Sequence, residues 1–179
     1  RLKSFKIFSM CLGLGAFPNK HKNYVGYLGM HGNYAPNIMT NECDLLIAIG
    51  MRFDDRVTGN VDKYAKQAKV IHIDIDKAEL NKIIPAHYAI HADAKEALNE
   101  LTSEVFEKTH SNWNREFEIL EKQELNQVIY KSIKPKSGKI KMAEVINLLT
   151  KKADNNTIIT TDVGQHQMFA AQYYPFAKP

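Results

Sequence analysis

Residues 50 to 59 read GMRFDDRVTG and follow the apolar run DLLIAI. Arg52, Asp54, Asp55 and Arg56 place four charges within five residues. Arginine meets phosphate or carboxylate through a planar, bidentate fork, so Arg52 and Arg56 could neutralise an anionic ligand. Asp54 and Asp55 could hold those guanidiniums or accept from a ligand, and Gly50 allows close backbone approach. The same charges also suit a solvated salt-bridge cluster, and residue types alone leave both readings open. A second candidate is HIDID at 72 to 76. Asp74 stands where a dinucleotide-binding fold puts the acid that meets an adenosine ribose, and it can equally be an ordinary strand-end carboxylate. Asp76 with Glu79 reads as an N-cap and its box partner before a helix over 77–83. His72 alternates with Asp74 and reads as a core histidine with its hydrogen bonds satisfied.

Three further stretches have residues suited to a site. LGLGAFP (12–18) lacks the third glycine of G-x-G-x-x-G. YLGMHGNY (27–34) sets Met30 and His31 between two glycines, a loop able to wrap a flat ring or simply a tight turn. In TTDVGQHQMF (160–169), Gly164 starts a helix whose first turn carries Gln165 and His166. Free N–H groups and a partial positive charge at a helix start suit a phosphate, and a polar cap is the alternative.

The elements that must position these residues follow from apolar spacing. DLLIAIG (44–50), VIHIDID (70–76) and TIITTDVG (157–164) are short, rich in Ile, Val or Thr, and bounded by Gly, Asp or Asn, which predicts strands. KIFSMCLG (6–13) and YAIHAD (88–93) are weaker strand candidates. DAKEALNELTSEVFEK (93–108) carries a helical stripe with Asp93 as its cap, and KMAEVINLLTKKA (141–153) shows the same spacing. Strands alternating with helices predict the α/β class, a parallel sheet with helices on both faces and Rossmann-like in plan. In such sheets ligands bind beyond the C-terminal strand ends, where GMRFDDRVTG and Asp74 fall. The charged stretch after residue 106 is predicted helical from about Trp113 and gives way to SIKPKSGK, which reads as a linker. The predicted division is a domain over 1–130, a linker over 131–139 and the opening of a second α/β domain over 140–179.

Composition bounds the rest. The chain has 179 residues, 44% hydrophobic and 25% charged, the balance of a globular protein. Its net charge of +4 is spread along the chain rather than concentrated, which argues against nucleic-acid binding. The longest apolar run, LLIAIGM, is far below the ~20 residues that span a bilayer. Cys11 and Cys43 are too few for a disulfide framework, and reduced thiols in a cytosolic or organelle-matrix protein are expected. No G-x-S-x-G, P-loop, H-E-x-x-H or zinc-spaced cysteine pair is present. Both ends look cut, as in a piece of a longer protein.

LGLGAFP, LGMHG, DLLIAIGMRFDDRVTG, HIDID-x-AE and TTDVGQHQMFAAQYY, in this order, closely resemble the catalytic subunits of the acetolactate synthase (acetohydroxyacid synthase) family of thiamine-diphosphate enzymes. The resemblance runs from about residue 11 to 179 and is least characteristic over 106 to 139. It implies most of a middle, FAD-binding-type domain and the start of a pyrophosphate-binding domain. The implied FAD contacts are Leu28, Gly29, Met30 and His31; Gly50, Met51, Arg52, Asp54, Arg56 and Val57; Asp74 and Ile75; and Asp93 and Ala94. Asp55 and Arg56 match positions lining the substrate channel and a herbicide site. Val163, Gly164, Gln165 and His166 match residues that hold the pyrophosphate of thiamine diphosphate. Phe169 stands where many relatives carry Trp.

The implied reaction is decarboxylation of pyruvate and condensation with pyruvate or 2-oxobutyrate, for branched-chain amino acid biosynthesis. The implied cofactors are thiamine diphosphate, FAD and Mg²⁺. The family's activating Glu and its Mg²⁺ motif match nothing here, so no catalytic or metal residue is expected in this chain, which alone should be inactive. A homodimer or tetramer of full-length subunits, a regulatory small subunit, and a bacterial cytoplasmic or a plastid or mitochondrial location follow from the same resemblance. A stand-alone NAD- or FAD-binding α/β module is the competing reading, and a remnant that binds nothing is a third.

Overall fold

The structure is a computed structural model. It describes residues 5–105, 108–134, 137–176 and 178. In chain order the elements are β1 (Ile7–Ser9), β2 (Tyr24–Tyr27), α1 (Tyr34–Met39), β3 (Leu45–Ile49), α2 (Asp55–Thr58), β4 (Lys69–Asp74) and β5 (Tyr88–His91). Then follow α3 (Ala94–Glu104), α4 (Ser111–Glu124), α5 (Tyr130–Ile133), α6 (Met142–Lys152) and α7 (Gln165–Tyr173). Every strand pairing is parallel, so the chain is α/β. Two compact units form, one on Ile38–Thr109 and one on Lys6–Asn37 with His110–Pro179.

The first unit is a three-stranded sheet in the order β3-β4-β5. β3 buries Leu46 and Ala48 in the period-2 alternation of a half-buried strand. β4 is central and buries Val70, His72, Ile73 and Asp74, as a strand covered on both faces should. Met39, Met51, Phe53, Tyr64 and Ile84 complete the core. β5 is exposed along its length. α3 starts where Asp93 accepts from the backbone N–H of Lys95 (2.8 Å) and Glu96 (3.2 Å), the capping foreseen from sequence.

The helix anticipated over 77–83 is a run of turns instead. Asp76 does cap it, accepting from Ala78 N–H at 2.9 Å. The following bonds, Glu79 N–H to Asp76 O and Leu80 N–H to Lys77 O, close three-residue turns. Asn81 then enters the left-handed region at φ 60°, which ends any helix there.

The second unit holds the parallel pair β1-β2 with α4, α6 and α7. α4 continues through a π-turn at Leu125–Ile129 into α5. α6 packs on α7, and Ala143, Ala170 and Ala171 are buried in these two helices. The expected strand over 157–164 does not form, and the segment runs without regular structure. A strand persists only where a neighbour takes up its backbone groups, and among the described residues none pairs with this one. Its apolar residues Ile158 and Val163 are exposed.

Candidate functional site

The geometry starts from the C-terminal ends of the first unit's three strands. Ile49 pairs with Ile73, and Asp74 with His91. Gly50 N–H then donates to Ile73 O at 2.9 Å, and Ala92 N–H to Asp74 O at 3.1 Å. Gly50, Asp74 and His91 therefore make one row across the sheet edge, spanning about 10 Å at the usual strand spacing. This row is where a parallel α/β sheet presents a ligand site.

Above Gly50 the chain turns sharply. Gly50 has φ 60° and open space where a Cβ would stand. Met51 and Phe53 point into the core, while Arg52, Asp55 and Arg56 are exposed. Asp54 caps the single turn of α2, accepting from Arg56 N–H at 3.1 Å, and Thr58 Oγ1 donates to Asp54 O at 3.1 Å. Arg52 lies 3.8 Å from Asp54, a pair too exposed to add much stability. Among the described residues no carboxylate pairs with the Arg56 guanidinium. The loop therefore pairs Arg52 only loosely and leaves the Arg56 guanidinium without an ion-pair partner at the end of a strand.

Asp74 is buried, with one oxygen accepting from Asp76 N–H at 2.8 Å and the other 3.8 Å from His72 Nε2. Ile75 beyond it is exposed, and His91 Nε2 lies 2.9 Å from Ile75 O. His72 is in the core as anticipated, but unsatisfied: neither ring nitrogen has a hydrogen-bond partner. Its ring instead meets Phe53 edge-on at 5.0 Å. At the third strand end Asp93 is committed to the start of α3, and Ala94 opens the helix.

In the second unit, LGMHG is a tight turn that displays its two large side chains. Gly32 N–H donates to Gly29 O at 2.9 Å. A Cβ on Gly32 would run into the Tyr27 carbonyl, so only glycine fits. Asn37 clamps the turn, accepting from Gly29 N–H (3.2 Å) and donating to Gly29 O (2.9 Å). Leu28 is buried beneath, and Met30 and His31 are exposed. Asn33 accepts from Tyr27 N–H at 2.9 Å and donates to Glu124 Oε1 at 3.1 Å. Glu124 also accepts from Tyr34 N–H at 3.0 Å, serving as an external cap for α1. LGLGAFP forms a 3-10 turn at Cys11–Gly13 followed by a second turn.

Gly164 is the N-cap of α7, as read from the sequence. The His166 ring folds back over it, with Cε1 3.0 Å from where a Cβ would stand. Val163, Gln165 and His166 are exposed at the helix start. Phe169, further along, stacks on Tyr173 at 5.6 Å.

Burial pushes the Cys43 thiol up to about 11, with nearby Asp44 adding to the shift. Burial also raises Tyr64, and Glu121. None of these three has a part in the strand-end row. Among the described residues, no group of three His, Cys, Asp or Glu could hold a metal ion, and no helix is long and apolar enough to cross a membrane. Phe53, Asn33, Asn37 and Glu124, which hold the two loops in shape, were not singled out from sequence.

The first unit is thus a parallel α/β domain with two arginines, Arg52 and Arg56, exposed just beyond a strand end. Residues 4–101, more than half of the chain, match the family model for the thiamine pyrophosphate enzyme central domain, and the chain belongs to that family. It is 40% identical over 173 residues to the acetolactate synthase large subunit of Buchnera aphidicola from Acyrthosiphon pisum, covering 94% of this chain and 29% of that protein. It is 41% identical over 187 residues to the probable acetolactate synthase large subunit of Methanocaldococcus jannaschii, covering 100% of this chain and 32% of that one. The chloroplastic acetolactate synthase 1 of Nicotiana tabacum is 41% identical over 181 residues, covering 99% and 27%. The chain thus spans about three tenths of the length of these relatives.

Proposed function

We propose that these residues are the middle-domain portion, and the start of the pyrophosphate-binding portion, of an acetolactate synthase large subunit. In this reading 1–130 is the FAD-binding-type domain, 131–139 the linker and 140–179 the second domain's opening. The observation that carries it is the row of Gly50 and Asp74 at adjacent strand ends, with Arg52 and Arg56 exposed beside it. The names of the relatives support it.

These residues fit an anionic dinucleotide such as FAD. The open space at Gly50 admits a ligand's backbone-hugging approach. Arg52 and Arg56 supply bidentate charge for phosphates. Asp74 and Ile75, with Asp93 and Ala94, extend the row; Leu28, Gly29, Met30 and His31 are proposed as further FAD contacts, of which Met30 and His31 are exposed. FAD here serves activity without a net redox change in the overall reaction. Asp55 and Arg56, both exposed, are proposed to face the 2-oxo acid channel, where Arg56 would orient a carboxylate.

For thiamine diphosphate, Val163, Gly164, Gln165 and His166 would hold the pyrophosphate at the start of α7, with Gln165 and His166 adding side-chain donors. Thiamine diphosphate supplies the carbanion-stabilising centre for decarboxylation and condensation of 2-oxo acids. Its activating acid and Mg²⁺ ligands are proposed to lie outside these residues, so the 179-residue chain should yield no acetolactate from pyruvate. We further propose assembly of full-length subunits as dimers or tetramers with a regulatory small subunit, in the cytoplasm or an organelle matrix.

Titrating the chain with FAD and with NAD, and following flavin fluorescence and NADH-competed binding, tests the reading. Saturable FAD binding that NAD does not displace supports it. Preference for NAD would instead favour a stand-alone nucleotide-binding module.

A further inference from the structure

The GMRFDDRVTG loop exposes Arg52, Asp55 and Arg56, yet it is held at one point by an aromatic ring. Phe53 is 1% exposed. Its ring stands edge-on to His72 at 5.0 Å and to Tyr64 at 6.2 Å. Its backbone lies in the left-handed region at φ 55°, which a bulky residue rarely adopts. A surrounding structure must over-determine such a conformation for it to persist. Here the burial of the ring does so. The left-handed turn at Phe53 sends Asp54 into its capping position, and Arg52 and Arg56 to the exposed side.

The seat beneath the ring is unusual. His72 is fully buried with both ring nitrogens unpartnered, and the Tyr64 hydroxyl is buried and unpartnered as well. Buried polar groups are almost always hydrogen-bonded, so two such rings around one phenyl group call for an explanation. What the two rings do provide is edge-to-face contact with Phe53, a geometry that aliphatic residues cannot give. His72 also sits two residues before Asp74 on the same strand, 3.8 Å from its carboxylate. The seat of the loop is therefore part of the next strand end.

We infer that Phe53 is a positioning residue, a peg seated on His72 and Tyr64 that fixes the ligand-facing side chains of residues 52 to 56. Its ring is buried away from the loop's exposed side. Its effect on binding passes through Arg52 and Arg56, and this part rests on the FAD reading above. The loop-anchoring part does not.

The test uses the whole 179-residue chain and three variants. Phe53→Ala empties the seat and Phe53→Leu fills it without a ring, which keeps the test available if the alanine variant does not fold. Leu46→Ala, on β3 and away from the loop, is the control for general core loss. Amide hydrogen exchange is read at Val57 and Thr58, whose N–H groups bond to Asp54 O at 3.0 and 2.9 Å. At matched thermal stability, exchange there should rise by about tenfold or more in the Phe53 variants over the Leu46 control. FAD affinity should fall in Phe53→Ala about as far as in Arg56→Ala, and the double variant should be no weaker than Phe53→Ala alone. Equal exchange in the Phe53 and Leu46 variants would overturn the inference. Fully additive losses of FAD affinity would overturn the route through Arg56. If the parent chain binds no FAD, the functional reading fails while the exchange result still decides whether Phe53 anchors the loop.

Discussion

Glu124 offers the sharpest test of how the LGMHG turn is held. Its carboxylate is buried and accepts from Asn33 Nδ2 at 3.1 Å and Tyr34 N–H at 3.0 Å. Hydrogen bonds to a charged group contribute about 1.5–3 kcal/mol each. Removing the carboxylate also relieves its desolvation, which offsets part of that sum. A net loss of about 3 kcal/mol for Glu124→Ala is therefore expected, most of it from the orphaned Asn33 and Tyr34 donors. For a chain of this length each kcal/mol moves the melting temperature by about 2–4 °C, so the variant should melt about 6–12 °C below the parent. Glu124→Gln keeps one carbonyl acceptor and should lose about half as much. Thermal unfolding followed by circular dichroism reads both. Because Asn33 also accepts from Tyr27 N–H at the base of the turn, Met30 and His31 should become more mobile in the alanine variant. A Glu124→Ala protein that melts within a degree or two of the parent would show that these two part-buried bonds do not hold the turn.

Other outcomes follow from the titratable groups and the site. Burial raises Glu121, partly countered by Lys6 and reinforced by Glu118 and Glu124, so its proton is bound more tightly in the folded state. Stability from that group is present below the unfolded glutamate value of 4.5 and is lost as pH rises through the raised folded value. Glu121→Gln should therefore raise the melting temperature at pH 7, with the gain shrinking to nothing below the ordinary glutamate range; a gain that persists unchanged in acid would contradict this. With its thiol pushed up to about 11, Cys43 holds only about one thiolate in a thousand at pH 8. Alkylation at pH 8 should modify the half-exposed Cys11 well before Cys43, as peptide mass spectrometry will show. Arg56→Ala should weaken FAD binding by about tenfold or more through loss of a charge-assisted contact, with little change in melting temperature because its guanidinium is exposed.

The parts of the fold legible in the sequence were those set by local pattern. DLLIAIG and VIHIDID carry the apolar, β-branched runs of buried parallel strands, and they form β3 and β4. The helix after Asp93 follows from its cap and stripe. What failed depended on partners or on one backbone angle. TIITTDVG has the composition of a strand, but a strand needs a neighbour to accept its backbone groups, and composition does not supply one. The helix expected over 77–83 does not form, and the left-handed conformation of Asn81 that breaks the run is not visible in periodicity. The charged half of the candidate site was legible because charge at the end of an apolar run is visible in one dimension. Its anchor was not. Phe53 sits among charges in the sequence and is the most buried residue of its loop, because its seat comes from His72 and Tyr64. Glu124 likewise reaches Asn33 across 91 residues, a separation at which residue types alone carry no pairing information.

The FAD site is proposed at the C-terminal ends of β3, β4 and β5. Hydrogen exchange of the chain with and without saturating FAD addresses it most directly. Exchange should slow in peptides covering 50–57, 74–75 and 93–94, with no comparable footprint from NAD. FAD binding that protects peptides elsewhere and leaves these three strand ends unchanged would contradict it.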